Sequence, residues 1–141
     1  MYNKVQSQST GKIVGLSPFD YAGGHLVLYK LTNMNAIEII MIPVKDQQAA
    51  KAFYLKLGWH VILEAPGAHN DTWIQMGFPG KETTISLAKF QAIICETDNI
   101  EKEVAMLKEK GIKVGNIDNT PWGKFAWLKD TDDNSLCLRQ K

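Results

Sequence analysis

The chain has 141 residues, of which 45% are hydrophobic and 22% charged, and its 16 Lys and Arg nearly balance 15 Asp and Glu for a formal net charge of +1. This length and composition suit one packed domain and exclude two large ones or a disordered chain. With no Lys/Arg block, and with no apolar stretch near the ~20 residues of a membrane span, neither nucleic acid nor a membrane is expected as a partner.

Residues 1–33 are rich in Ser, Gln, Gly and Asn and lack the basic-then-apolar order of a secretory signal. They read as an N-terminal extension of unknown role, or as upstream sequence, and residues 25–31 are compatible with one added strand. From residue 37 to 44 both alternating faces are apolar apart from Glu38, the pattern of a strand covered on both sides. Asp46 is placed to cap a helix over residues 46–57 in which Ala49, Phe53 and Leu57 recur every four positions, and Gly58 supplies its left-handed stop. Three apolar runs follow at residues 59–63, 72–77 and 83–88, separated by Ala-Pro-Gly-Ala-His-Asn and Phe-Pro-Gly-Lys-Glu.

The order strand, helix, three strands then repeats. A shift of 53 residues lays Ile40 on Ile93, Asp46 on Asn99, Gly58 on Gly111 and Val61 on Val114. In the second copy Asp98 precedes a helix with Glu101 at the reciprocal capping position, an apolar face of Ile100, Val104 and Leu107, and Gly111 beyond its end. Two βαβββ modules thus account for residues 34–141, module one spanning 34–89 and module two 90–141. Cys95 and Cys137 are too few for a disulfide framework, and a reducing cytoplasm is the expected compartment.

This duplicated order, with Pro43-Val44-x-Asp46 ahead of Ala-x-x-Phe53-Tyr54-x-x-Leu57-Gly58, resembles the vicinal oxygen chelate superfamily of glyoxalase I, extradiol dioxygenases and bleomycin-resistance proteins. Asp130-Thr-Asp132-Asp133-Asn134-Ser-Leu136 is similar to the family's Asp-Pro-Asp-Gly-Asn turn, with Thr131 and Asp133 in place of its Pro and Gly. The resemblance implies an α+β fold: a single domain in which two tandem βαβββ modules form a cupped, partly open mixed sheet barrel with helices outside. In metal-dependent members four inward side chains, His, Gln or Glu, hold one divalent ion. Those positions fall here on Ile39, Ser86, Ala92 and Cys137. Two of these donate nothing, so no metal and no cofactor is expected, and the resemblance is closest to metal-free, bleomycin-resistance-like members.

If those four positions face inward, strand alternation turns Ile37, Ile39, Met41, Thr84, Ser86, Ala88, Ala92, Ile94, Glu96, Ser135, Cys137 and Arg139 into the cup. Many of these are small, and bulky neighbours must fill or line the remaining space. Trp73 and Gln75 face inward if Ile74 and Met76 pack under a helix, and the repeat turns Phe125 and Trp127 the same way. Such rings are commonly core filler; the small residues opposite them favour a ligand wall. Glu96 is either at a solvated strand end or a buried carboxylate with a cationic partner, and Arg139 is exposed, paired with Glu96, or in contact with ligand. Trp122 lies where the family has a mobile pocket rim, although Pro-Trp-Gly can simply cap a sheet.

His25, His60 and His69 have no ligand spacing, and no nucleophile elbow, phosphate-binding glycine loop or Cys-x-x-Cys occurs. The leading expectation is therefore a binding protein without catalytic residues, which sequesters an aromatic or cationic small molecule through Trp73, Gln75, Ser86, Glu96, Trp122, Phe125, Trp127, Cys137 and Arg139. Two other readings stay open. One is a metal-dependent lyase, isomerase or dioxygenase with unconventional ligands; the other is an interaction module with a filled cavity. A homodimer is expected, because cups in this family are often completed across chains.

Overall fold

The computed structural model describes Tyr21–Ala22, His25–Leu26 and residues 33–141. Tyr21–Ala22 (β1) and His25–Leu26 (β2) pair antiparallel as a separate two-stranded ladder. The rest of the strand considered over residues 25–31 lies outside the described residues.

From Met34 onward the two repeats take the same course. The first is β3 (Met34–Pro43), α1 (Gln47–Lys56), β4 (His60–Pro66), β5 (Thr72–Gly77) and β6 (Thr84–Ala88); the second is β7 (Ala92–Thr97), α2 (Ile100–Glu109), β8 (Val114–Thr120), β9 (Gly123–Lys129) and β10 (Ser135–Gln140). All eight strands join one sheet in the order β4-β5-β6-β3-β7-β10-β9-β8. The modules meet through their first strands, β3 and β7, which run antiparallel, while β6 and β10 lie parallel to the first strands of their own modules. Both modules of the cup therefore come from one chain. Among the described residues no helix is long and apolar enough to cross a membrane.

Each helix covers the outer face of its own module. Ile74, Met76, Ile85 and Leu87 pack with Ala50 and Tyr54 of α1 and with Trp59, while Ala126 and Leu138 pack with Ile100, Val104 and Leu107 of α2. A third cluster, Ile39, Met41, Ala88, Ala92, Ile94 and Cys137, lies on the opposite, concave face, with Trp73 and Phe125 against it. Alternation along the strands supplies these opposed faces.

Several local expectations are corrected. Asp46 caps α1 by accepting from the Gln48 and Ala49 amides, as read, but the helix buries none of its residues and its packing face is Ala50 and Tyr54. Phe53 and Leu57 are exposed, at 58% and 57%. The cap of α2 is Asn99, whose Oδ1 accepts from the Lys102 amide; Asp98 instead accepts from the Asn35 side chain, and Glu101 pairs with Lys124. On β3 the register shifts between Ile37 and Ile39, a bulge that admits one extra residue. Ile37 consequently stands opposite Cys95, on the helix side of the sheet, and is 47% exposed instead of facing into the cup, whereas Glu38 is buried. In the turn before β10, Asp130 Oδ1 accepts from the Asp132 and Asn134 amides and Asp133 adopts φ +65°, the left-handed conformation that favours glycine.

Candidate ligand-binding cleft

The concave face is built in rows. One row crosses the sheet as Gln75, Ser86, Met41, Ala92 and Ser135, and the next as Thr84, Ile39, Ile94, Cys137 and Trp127. Ile39, Met41, Ala92, Ile94 and Cys137 in the middle of these rows pack as one cluster. A cleft of about 500 Å³ remains between the modules, within the ~300–1,000 Å³ range of small-molecule sites. Ile39, Met41 and Ile94 form its apolar floor, and Trp73, Phe90, Phe125 and Trp127 supply aromatic walls, with Phe90 and Trp127 at 6.1 Å between ring centroids.

The polar groups are mostly committed. Trp73 Nε1 donates to Gln75 Oε1 at 3.2 Å, Gln75 Nε2 donates to Thr84 Oγ1 at 2.8 Å, and that hydroxyl donates to the Glu38 carbonyl at 3.2 Å. At the α1 end Gln47 Nε2 donates to the Thr72 and Leu87 carbonyls, both at 2.8 Å. At the rim Asp71 pairs with Lys89 at 3.1 Å, and this ammonium together with the Thr72 amide holds the Asp71 carboxyl below its ordinary pKa. Ser86 Oγ is buried and has no hydrogen-bond partner among the described residues.

Arg139 organises the far rim. Its guanidinium donates through Nη1 to Glu38 Oε1 at 2.6 Å and through Nε and Nη2 to the Trp122 carbonyl at 3.3 and 3.0 Å, and it lies 5.7 Å from the centre of the Phe125 ring. Trp122 sits in the two-residue β8–β9 turn, where Thr120 Oγ1 accepts from the Trp122 amide and donates to the Gly123 carbonyl. Gly123 has φ +120°, and a Cβ there would overlap the Gln140 carbonyl oxygen, so the turn demands glycine on both conformational and steric grounds.

Of the residues singled out in the sequence, Trp73, Gln75, Ser86, Trp122, Phe125, Trp127 and Arg139 line this cleft; Glu96 and Cys137 do not. Glu96 lies at a half-exposed strand end and pairs with Lys141 at 3.1 Å, leaving Arg139 to Glu38. The bulge explains the exchange, because it turns a second carboxylate towards Arg139. Cys137 lies fully buried in the concave-face cluster with Ile39 and Ile94, where burial pushes its thiol pKa up to about 12. Leu63, Phe90 and the Asp71–Lys89 pair also border the cleft and went unrecognised. Phe90, in the short β6–β7 turn, was discernible only once the antiparallel β3–β7 pairing was known.

The four positions at which the resemblance implies metal ligands all lie in the buried interior, but their chemistry does not fit a divalent ion. Ile39 and Ala92 are alkyl, Ser86 is a neutral hydroxyl, and the raised pKa of Cys137 disfavours the thiolate a metal needs. Among the described residues no group of three or more His, Cys, Asp or Glu is arranged to hold an ion.

Comparison with known proteins agrees with this architecture. The family model described as Glyoxalase/Bleomycin resistance protein/Dioxygenase superfamily matches residues 36–138. The Bacillus subtilis (strain 168) protein YetH is 26% identical over 116 residues, covering 74% of this chain and 97% of its own. Methylmalonyl-CoA epimerase from Mycobacterium tuberculosis superimposes with a TM-score of 0.69 at 13% identity, over 80% of this chain and 92% of that one, a likeness of fold. TnmS3, an antibiotic binding protein from Streptomyces sp. CB03234, is 29% identical over 78% of this chain and 98% of its own, with a TM-score of 0.39.

Proposed function

The chain belongs to the Glyoxalase/Bleomycin resistance protein/Dioxygenase superfamily, and from that premise we propose that it is a metal-free binding protein that sequesters a small aromatic compound in the cleft between its modules. The observation that carries the reading is the combination of an apolar floor with four aromatic walls at the place where ligand chemistry for a metal is missing. An aromatic guest there gains burial and, in addition, edge or offset ring contacts with Trp73, Phe125 and Trp127. Exposed Trp122 and Phe90 border the cleft as well and extend its aromatic surface.

The cleft's charge pattern narrows the guest. Cation recognition was expected from Glu96, which points elsewhere, and the carboxylate that does border the cleft, Asp71, is paired with Lys89. Shape and stacking therefore do more of the selection than charge. Cys137, the buried thiol near the cleft, does not line it, and its raised pKa disfavours the nucleophilic thiolate.

The test is calorimetric titration with 2-naphthol and with the cation 2-naphthylmethylammonium, on protein purified without a metal-affinity column and checked by elemental analysis. 2-Naphthol should bind metal-free protein and the cation should bind more weakly, and Trp127→Ala should weaken 2-naphthol about tenfold, since stacking contributes ~0.5–1.5 kcal/mol beyond burial and contact area is lost as well. One tightly held divalent metal per chain, or binding indifferent to Trp127→Ala, would overturn the proposal.

A further inference from the structure

Ser86 lies in the middle of β6 on the floor of the cleft, 1% exposed, and its hydroxyl has no hydrogen-bond partner among the described residues. Buried hydroxyls are almost always partnered, because an unmade hydrogen bond in a dry site forfeits hydration without replacement. The cross-strand neighbours do not supply a partner. Gln75, opposite on β5, directs its amide nitrogen to Thr84 and its oxygen to Trp73, and Met41, opposite on β3, presents a thioether. Ser86 nevertheless lines the cleft, with the apolar floor of Ile39, Met41 and Ile94 and the aromatic walls around it.

We propose that Ser86 is the polar anchor of the cleft and selects a neutral planar aromatic compound bearing a hydrogen-bonding group, a hydroxyl or carbonyl, on its edge. This rests on the binding role proposed above and adds the class of guest. Neutrality follows from the lining. Among the described residues that border the cleft, Arg139 is matched by Glu38 and Asp71 by Lys89, so a charged guest lowered onto Ser86 would be desolvated with no unpaired counter-ion among them. A hydroxyl can both donate and accept, which suits either edge group. The anchor also fixes orientation, because an aromatic ring between Trp73 and Trp127 could otherwise slide or turn over at little cost.

The anchor carries a signature that a structural serine lacks. Removing an unpartnered buried hydroxyl removes a defect from the free protein, so Ser86→Ala should melt at or above the wild-type temperature while losing selectivity. The experiment compares naphthalene and 2-naphthol by calorimetric titration on wild type, Ser86→Ala and Trp127→Ala. The ratio of 2-naphthol to naphthalene affinity should fall about two- to tenfold in Ser86→Ala, the range of one net hydrogen bond, with naphthalene binding unchanged. In Trp127→Ala both probes should weaken together, leaving the ratio intact. An unchanged ratio in Ser86→Ala, with Trp127→Ala still weakening both probes, would refute the anchor and leave the binding role standing. A Ser86→Ala protein that melts below wild type would also refute it, by showing that a water or protein group already satisfies the hydroxyl. Failure of either probe to bind wild type would overturn the binding role, and the anchor with it.

Discussion

Arg139→Met replaces the guanidinium by an apolar side chain of similar reach and leaves Glu38 buried without its main partner. The side chains of this pair are 18% and 10% exposed and meet at 2.6 Å, so both charges are largely removed from water. Breaking such a pair from one side typically costs ~3–5 kcal/mol, because the remaining charge stays desolvated. Lys141 Nζ lies 3.2 Å from the same Glu38 oxygen and is itself over half exposed, so it can take over part of the compensation. The loss should then fall near the lower end, about 3 kcal/mol, or roughly 10 °C in melting temperature for a chain of this size. The two hydrogen bonds to the Trp122 carbonyl go as well, and the rim turn should loosen. Urea unfolding of wild type, Arg139→Met, Glu38→Gln and the double variant measures the coupling directly. A loss below about 1 kcal/mol, or additive single effects, would mean that the pair behaves as a hydrated surface contact and that Arg139 does not fix the rim.

Three further outcomes follow from particular residues. Asp46→Ala should cost about 1 kcal/mol in urea unfolding, since it removes both amide bonds of a helix with no buried residue; a cost below a few tenths would show that α1 is held otherwise. The Cys137 pKa, pushed from 9.0 to about 12 by burial, predicts that stability is full below pH 9 and declines between pH 9 and 12, where the unfolded thiol ionises and the folded one does not. Its contribution to the slope should approach 1.4 kcal/mol per pH unit and disappear in Cys137→Ala, and an equal slope in that variant would contradict the assignment. A second copy of the chain is expected to cover exposed Phe53 of α1 and Leu57 at its C-terminal cap, so sedimentation should give a dimer and the Phe53→Asp, Leu57→Asp variant a monomer; a wild-type monomer at micromolar concentration would refute this.

What the sequence made legible was what alternation and capping determine locally. Asp46 and Gly58 bracketed α1 because a carboxylate accepting two amides and a glycine at φ +86° are chain-local requirements. Trp73, Gln75, Phe125 and Trp127 reached the cleft because one correct choice of face, with Ile74 and Met76 under a helix, carries all the alternating neighbours with it. The face of α1 was misread because the regular apolar spacing of Phe53 and Leu57 marks a stripe that this chain leaves uncovered. The β3 bulge was invisible for a different reason: one extra residue changes no composition or period, yet it sends Ile37 outward and Glu38 to Arg139. Which carboxylate meets Arg139 is thus decided across 101 residues of sequence by strand register, and no local pattern records that.

A concave face that is a chamber for aromatic guests should report itself most directly through the four indole N–H resonances of the protein. Trp73, Trp122 and Trp127 border the cleft, whereas Trp59 packs beneath α1 between Tyr54 and Phe78 on the other side of the sheet, an internal control. In a two-dimensional nitrogen–proton titration with 2-naphthol, ring-current shifts should move the first three signals along a common saturation curve and leave Trp59 in place. Shifts confined to Trp59, or no shift in Trp73 and Trp127 at saturating probe, would contradict a binding chamber on this face.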